Sequence, residues 1–189
     1  RATISGEVTE SIYLVGTQLD LTGVVRQDLH YVGILMDLRS PDGVLHHPVK
    51  GQIIFATLST TFDKSVAIDG RVTGVGYQLL INAPVRREVN FWGSAFVLNN
   101  SVDSNVYATV GNPESDGSDL EPLLIPLNIT QEIIDPGLVI SISGTIKGTL
   151  TYSGPVAGEI SGTVAGVVNY SQSTPTIIPI TDNEEGTIN

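Results

Sequence analysis

The chain has 189 residues, 41% of them hydrophobic, with 20 glycines, 10 prolines and a formal net charge of −11, enough apolar content for one β domain with a proper core. There is no cysteine, which excludes disulfides, thiolate metal sites and a cysteine nucleophile. Residues 1–87 balance eight acidic against eight basic side chains, whereas residues 88–189 carry twelve acidic side chains and only Lys147, so nucleic acid and anionic lipid are poor partners.

The chain opens RATISGEV, without Met and without an apolar leader, and reads as either a mature form from which a signal peptide has been removed or a trimmed chain, processing being the favoured reading. No apolar run approaches the roughly 18 residues of a membrane-spanning helix, so no transmembrane helix is expected. Strand-like alternation begins at 3–15 and continues at 18–25, where Leu19, Leu21 and Val25 share a face. The segment HYVGILMDLRSPDGVLHHPV reads as a hairpin about Ser40-Pro41-Asp42-Gly43, with Val32, Ile34, Met36 and Leu38 facing one way. Further strands are predicted over 51–60, 66–82 and 89–98, the last supplying Phe91, Trp92 and Phe96 as large anchors.

Residues 99–122 are acidic and turn-rich, a long loop with one short strand at 105–110. Prolines 175 and 179 argue against a central strand in the tail. Between these lies a doubled phrase, SGTIKGTLTYS at 143–153 and SGTVAGVVNYS at 161–171. Ile140, Ile142, Ile146, Leu150 and Tyr152 alternate with Ser and Thr, and the second copy keeps phase with Ile160, Val164, Val168 and Tyr170. Weaker echoes occur at Ile4-Ser5-Gly6, Leu21-Thr22-Gly23 and Ile68-Asp69-Gly70.

The phrase predicts two amphipathic strands whose glycines make room for a bent sheet or a large neighbour. The same hairpin, 139–171, also suits the stem of an oligomeric membrane barrel. An 18-residue period matches one coil of a β-solenoid too, but two clear copies fall short of the three such a fold needs.

Few residues suggest chemistry. His46 and His47, with His30 upstream, form the histidine cluster, but adjacent strand residues point to opposite faces and are poorly placed to share a metal. Asp103, Glu114, Asp116, Asp119 and Glu121 gather carboxylates on the 99–122 loop, the donor type calcium prefers, without the full EF-hand pattern. Calcium is therefore the candidate cofactor, against a merely solvated loop. Trp92, with Phe91 and Tyr107, makes a candidate sugar-stacking platform. Asn99, Asn128 and Asn169 lie in N-glycosylation sequons. No nucleophile elbow or nucleotide loop is present, so no enzymatic activity is expected.

The expected fold is all-β: a single-domain antiparallel sandwich over 1–189, jelly-roll or immunoglobulin-like, with a partly closed barrel as the alternative. The expected function is a secreted or surface structural protein that self-assembles as a homo-oligomer into a filament, sheath, shell or matrix. One terminal segment, 1–15 or 173–189, would add to a neighbour's sheet edge. The alternatives are a carbohydrate-binding or adhesive module and a pore-forming protein.

Overall fold

A computed structural model describes residues 1–111 and 140–173. Among these described residues sixteen strands follow in chain order. They are β1 (Ala2–Ile4), β2 (Glu7–Val8), β3 (Ile12–Leu21), β4 (Val24–Val25), β5 (Leu29–Leu38), β6 (Ile53–Phe62), β7 (Val72–Ile81) and β8 (Val89–Leu98). Then come β9 (Ser101–Val102), β10 (Val106–Val110), β11 (Ile140–Ile142), β12 (Thr145–Ile146), β13 (Leu150–Gly154), β14 (Glu159–Ile160), β15 (Thr163–Val164) and β16 (Val168–Gln172).

Every pairing between them is parallel and in register, and each strand lies on the equivalent strand of the turn before. The chain is a β-solenoid of about eight turns. This corrects the expectation of an antiparallel sandwich or barrel. The alternation of apolar and polar side chains is the same in both arrangements; only the direction of pairing differs, and here each strand reaches its partner by circling the core.

Each turn has three runs: a short one, such as β4; a broad one, such as 29–33; and a closing one, such as 35–38. In β5 the most deeply buried positions are Leu29 and Tyr31 on the broad run but Met36 and Leu38 on the closing run, with Leu35 also buried at the corner. The inward phase flips because the strand turns a corner between them. That corner explains why Val32, expected on one face with Met36 and Leu38, is instead exposed.

Inward side chains stack in columns. Val25 bridges Val49, Ile68 bridges Val85, Val85 bridges Val102, and Val102 pairs with Ile146 along the short run. The closing run stacks Leu21, Leu38, Phe62, Ile81, Leu98 and Ile142, all fully buried. Each such side chain contributes about 1.5–3 kcal/mol through burial. On the broad run Tyr31 donates its hydroxyl to Gly16 O at 3.1 Å, and Tyr170 donates to Gly154 O at 3.1 Å, each satisfying a corner carbonyl of the turn before. Burial, and then the charge of Asp20, pushes the Tyr31 hydroxyl up to about 12.

The doubled phrase is two successive turns and not the two arms of a hairpin. Leu150 pairs with Val168 and Tyr152 with Tyr170, both in parallel. Its glycines sit at corners where the turns touch. A Cβ on Gly162 would strike Gly144 O, and one on Gly144 would strike Asn100 O, so backbone of the preceding turn fills the room they leave. The Ser40–Gly43 segment makes a turn, with Gly43 at φ 73°, but it lies in an excursion between β5 and β6, which pair in parallel and not as the antiparallel arms of the expected hairpin. The expected loop at 99–122 contains both β9 and β10.

Candidate functional site

The broad run builds one continuous outer face. Along it, Tyr13, His30, Ile54, Thr73, Asn90, Tyr107, Thr151 and Asn169 stack in one outward column. A second column holds Val15, Val32, Ala56, Val75, Trp92, Thr109, Ser153 and Ser171. Neither contains Asp, Glu, Lys or Arg. With strands about 4.8 Å apart, the face runs for about 34 Å.

Its apolar and aromatic members lie toward the first turns and its hydroxyls and amides toward the last. Tyr13 and His30 stack with ring centroids 4.3 Å apart at 14°. Trp92 is 48% exposed and Tyr107 38% exposed. These two rings stand on adjacent turns, and beside them opens a cleft of about 230 Å³ bordered by Thr109, Thr151, Ser153 and Ser171. Hydrogen bonds order its rim: Ser153 Oγ donates to Thr109 Oγ1 at 3.3 Å, and Asn105 Nδ2 donates to the Tyr107 hydroxyl at 3.4 Å.

Of the three residues read from the sequence as a candidate sugar-stacking platform, the fold brings two together. Trp92 and Tyr107 share the outer face, whereas Phe91 points inward, fully buried, with its ring 6.0 Å from that of Phe96. Alternation in β8 separates the two neighbours, as it must for adjacent strand residues. The sequence reading missed the rest of the face, because its other members come from turns that are neighbours only once the chain is coiled.

A second surface follows the corner between the short and broad runs. Arg26, Lys50, Asp69, Arg86, Asp103 and Lys147 each follow the inward residue of the short run, so the coil stacks them into a charged ladder. Asp69 accepts from Lys50 at 3.2 Å, lies 3.1 Å from Arg86 Nη1, and has both oxygens 3.0 Å from His47 Nδ1. Burial alone would push the Asp69 carboxyl up; the hydrogen bonds and charges of Lys50 and His47 outweigh it and hold the group below the usual carboxylate range. A polar groove of about 570 Å³ follows this corner, with Arg71, Arg87 and Glu88 on its wall.

The histidines are separated by function as well as direction: His47 belongs to this ion-pair cluster, His46 Nε2 lies 2.9 Å from Gly23 O, and His30 stacks on Tyr13. Of the candidate calcium ligands, Asp103 is paired with Lys147 at 2.8 Å, while Glu114, Asp116, Asp119 and Glu121 lie outside the described residues. Among the described residues no three His, Asp or Glu side chains converge as a metal site.

Of the sequon asparagines, Asn99 is exposed but hydrogen-bonded to Asn82 at 2.8 Å and to Ser143 at 2.9 Å, Asn169 is exposed on the broad face, and Asn128 lies outside the described residues. No helix among the described residues is long and apolar enough to cross a membrane. Compared with protein-family models, curated proteins and solved structures, the chain matches none.

Proposed function

We propose that this chain is a secreted or surface-displayed, non-enzymatic structural subunit that joins head to tail through the first and last described turns, extending the parallel ladder from one molecule into the next. The observation that carries the reading is the condition and spacing of those two turns. In the last described turn β16 is exposed along its whole length, including the inward Val168 at 44% and Tyr170 at 38%, whereas Leu150 and Tyr152 one turn earlier are buried. In the first turn Ile4, Ile12 and Leu14 are only partly covered.

The inward residues of the two turns match. Ile4, Val8, Ile12 and Leu14 follow one another at intervals of 4, 4 and 2 residues, and so do Ile160, Val164, Val168 and Tyr170. Internal turns repeat the interval, as in Leu98, Val102, Val106 and Ala108. A second copy set on the last turn would place Ile4 over Ile160, Val8 over Val164, Ile12 over Val168 and Leu14 over Tyr170. Glu7 would meet Thr163 and Tyr13 would meet Asn169, so no like charges oppose. Main-chain hydrogen bonds along β16 would supply affinity and the apolar columns register. Because such a contact is heterologous, it leads to open filaments and not to closed dimers.

Sedimentation velocity over a concentration series, with electron microscopy of the concentrated sample, tests the reading. It expects growing linear polymers with an axial repeat of about 38 Å, the height of about eight strand spacings. A monodisperse monomer at millimolar concentration, without filaments, would refute it.

A further inference from the structure

We propose that the broad face is a binding site for a neutral polysaccharide, centred on Trp92 and Tyr107. This goes beyond end-to-end assembly and does not depend on it, since the face lies on the side of the coil and leaves the terminal turns free.

Three properties select the ligand. First, the two outward columns carry no Asp, Glu, Lys or Arg over eight turns, in a chain whose net charge is −11. An anionic polymer is repelled by the molecule as a whole, and a cationic one finds no carboxylate on this face. Second, Trp92 and Tyr107 hold their rings half in water on a rigid sheet, where a flat apolar partner gains most from covering them. The C–H faces of pyranose rings are such partners. Third, Thr109, Thr151 and Ser153 stand beside those rings and offer paired donors and acceptors to sugar hydroxyls.

The geometry suits a chain and not a compact molecule. The cleft of about 230 Å³ is below the size that encloses a drug-like ligand, so it seats about one ring at a time. The stacked turns extend the uncharged face in both directions, with aromatic and aliphatic surface toward Tyr13 and hydroxyls and amides toward Asn169. Sites held on strands are also positioned with little reorganisation on binding.

Trp92 is the one tryptophan of the chain, so its emission reports directly on the site. The full chain is titrated with soluble gluco-, xylo- and manno-oligosaccharides and, in parallel, with oligomers of uronic acid. The expected result is a saturable change in Trp92 emission with at least one neutral series and none with the uronates. Tyr107→Ala, shown to be folded by circular dichroism, should weaken that binding roughly tenfold, the scale of losing one aromatic anchor. Retention of Trp92→Ala on the matching insoluble polysaccharide should fall similarly. Emission that responds to no neutral oligosaccharide overturns the proposal. So does emission that changes only with protein concentration, which would assign the face to a second copy of the chain, or binding that survives both substitutions.

Discussion

The Phe55 ring lies where a Cβ on Gly74, its in-register partner one turn on, would stand. Over these turns the inward column of the broad run therefore alternates in bulk, through Phe55, Gly74, Phe91 and Ala108: Phe55 fills its own layer and the next, and Phe91 resumes beyond Gly74. Gly74→Ala should cost about 1–3 kcal/mol by overpacking, and Phe55→Ala about 3–5 kcal/mol by leaving a cavity. In the Phe55→Ala background, Gly74→Ala should cost nothing or restore stability, since the added methyl enters vacated space. A double-mutant cycle by urea unfolding measures this, and additive losses would show that the two layers do not share the ring.

Asp69 predicts an acid-sensitive corner. Its folded pKa is depressed, so the stability it contributes is present above the unfolded carboxylate value and is lost as pH falls through the folded one. Asp69→Asn should therefore destabilise the protein by about 1 kcal/mol at pH 7, with the difference closing as the pH falls through the depressed folded value. Thermal unfolding across pH reads both. A constant difference at every pH would mean that the side chain acts by shape alone.

Asp37 should behave in the opposite sense. Burial pushes its carboxyl up; Arg39 pulls it down, but the charges of Asp20 and Asp63 add to the rise. Asp20 is the in-register partner of Asp37 one turn earlier, a like-charge pair across parallel strands. A raised carboxylate pKa means that ionisation costs stability as pH climbs through the folded value and costs nothing below the unfolded one. Asp37→Asn should thus stabilise the protein by about 0.5–1 kcal/mol at pH 7 and have no effect under acid. The lost ion pair to Arg39, 3.5 Å long with the arginine exposed, offsets little of this. A destabilised variant at neutral pH would contradict it.

These three sites show what the sequence made legible. The β class, the inward residues of the doubled phrase and the 89–98 strand were readable because alternation is local. The coil was not, because its period is uneven. Ile12 pairs 17 residues on and Ile53 19 residues on, but Leu29 pairs 24 residues on and Val106 44 residues on. Intervals this uneven hide the rhythm, so the repeat is visible in the doubled phrase and only faintly elsewhere.

The echoes at Ile4-Ser5-Gly6 and Leu21-Thr22-Gly23 do mark one corner on successive turns, with Ile4 paired to Leu21. Ile68-Asp69-Gly70 marks a different corner, which hid their common cause. Trp92 and Tyr107 were legible as exposed-aromatic candidates, whereas the uncharged face around them exists only through stacking.

Head-to-tail joining makes a prediction that no closed association shares. Ile12→Lys places a charge in the first turn and leaves β16 intact; Val168→Lys does the converse. Each variant alone keeps one competent end, and since every junction needs one of each, each alone should remain monomeric. Mixed in equal amounts, the intact last turn of one can receive the intact first turn of the other. The resulting pair has a lysine at both outer ends, so growth stops at the dimer. Sedimentation of the two variants and of their mixture reads the outcome directly, with circular dichroism confirming that both are folded. Dimers confined to the mixture would fix the two terminal turns as the joining surfaces; polymers from either variant alone, or a mixture that stays monomeric, would show that the chains associate elsewhere or not at all.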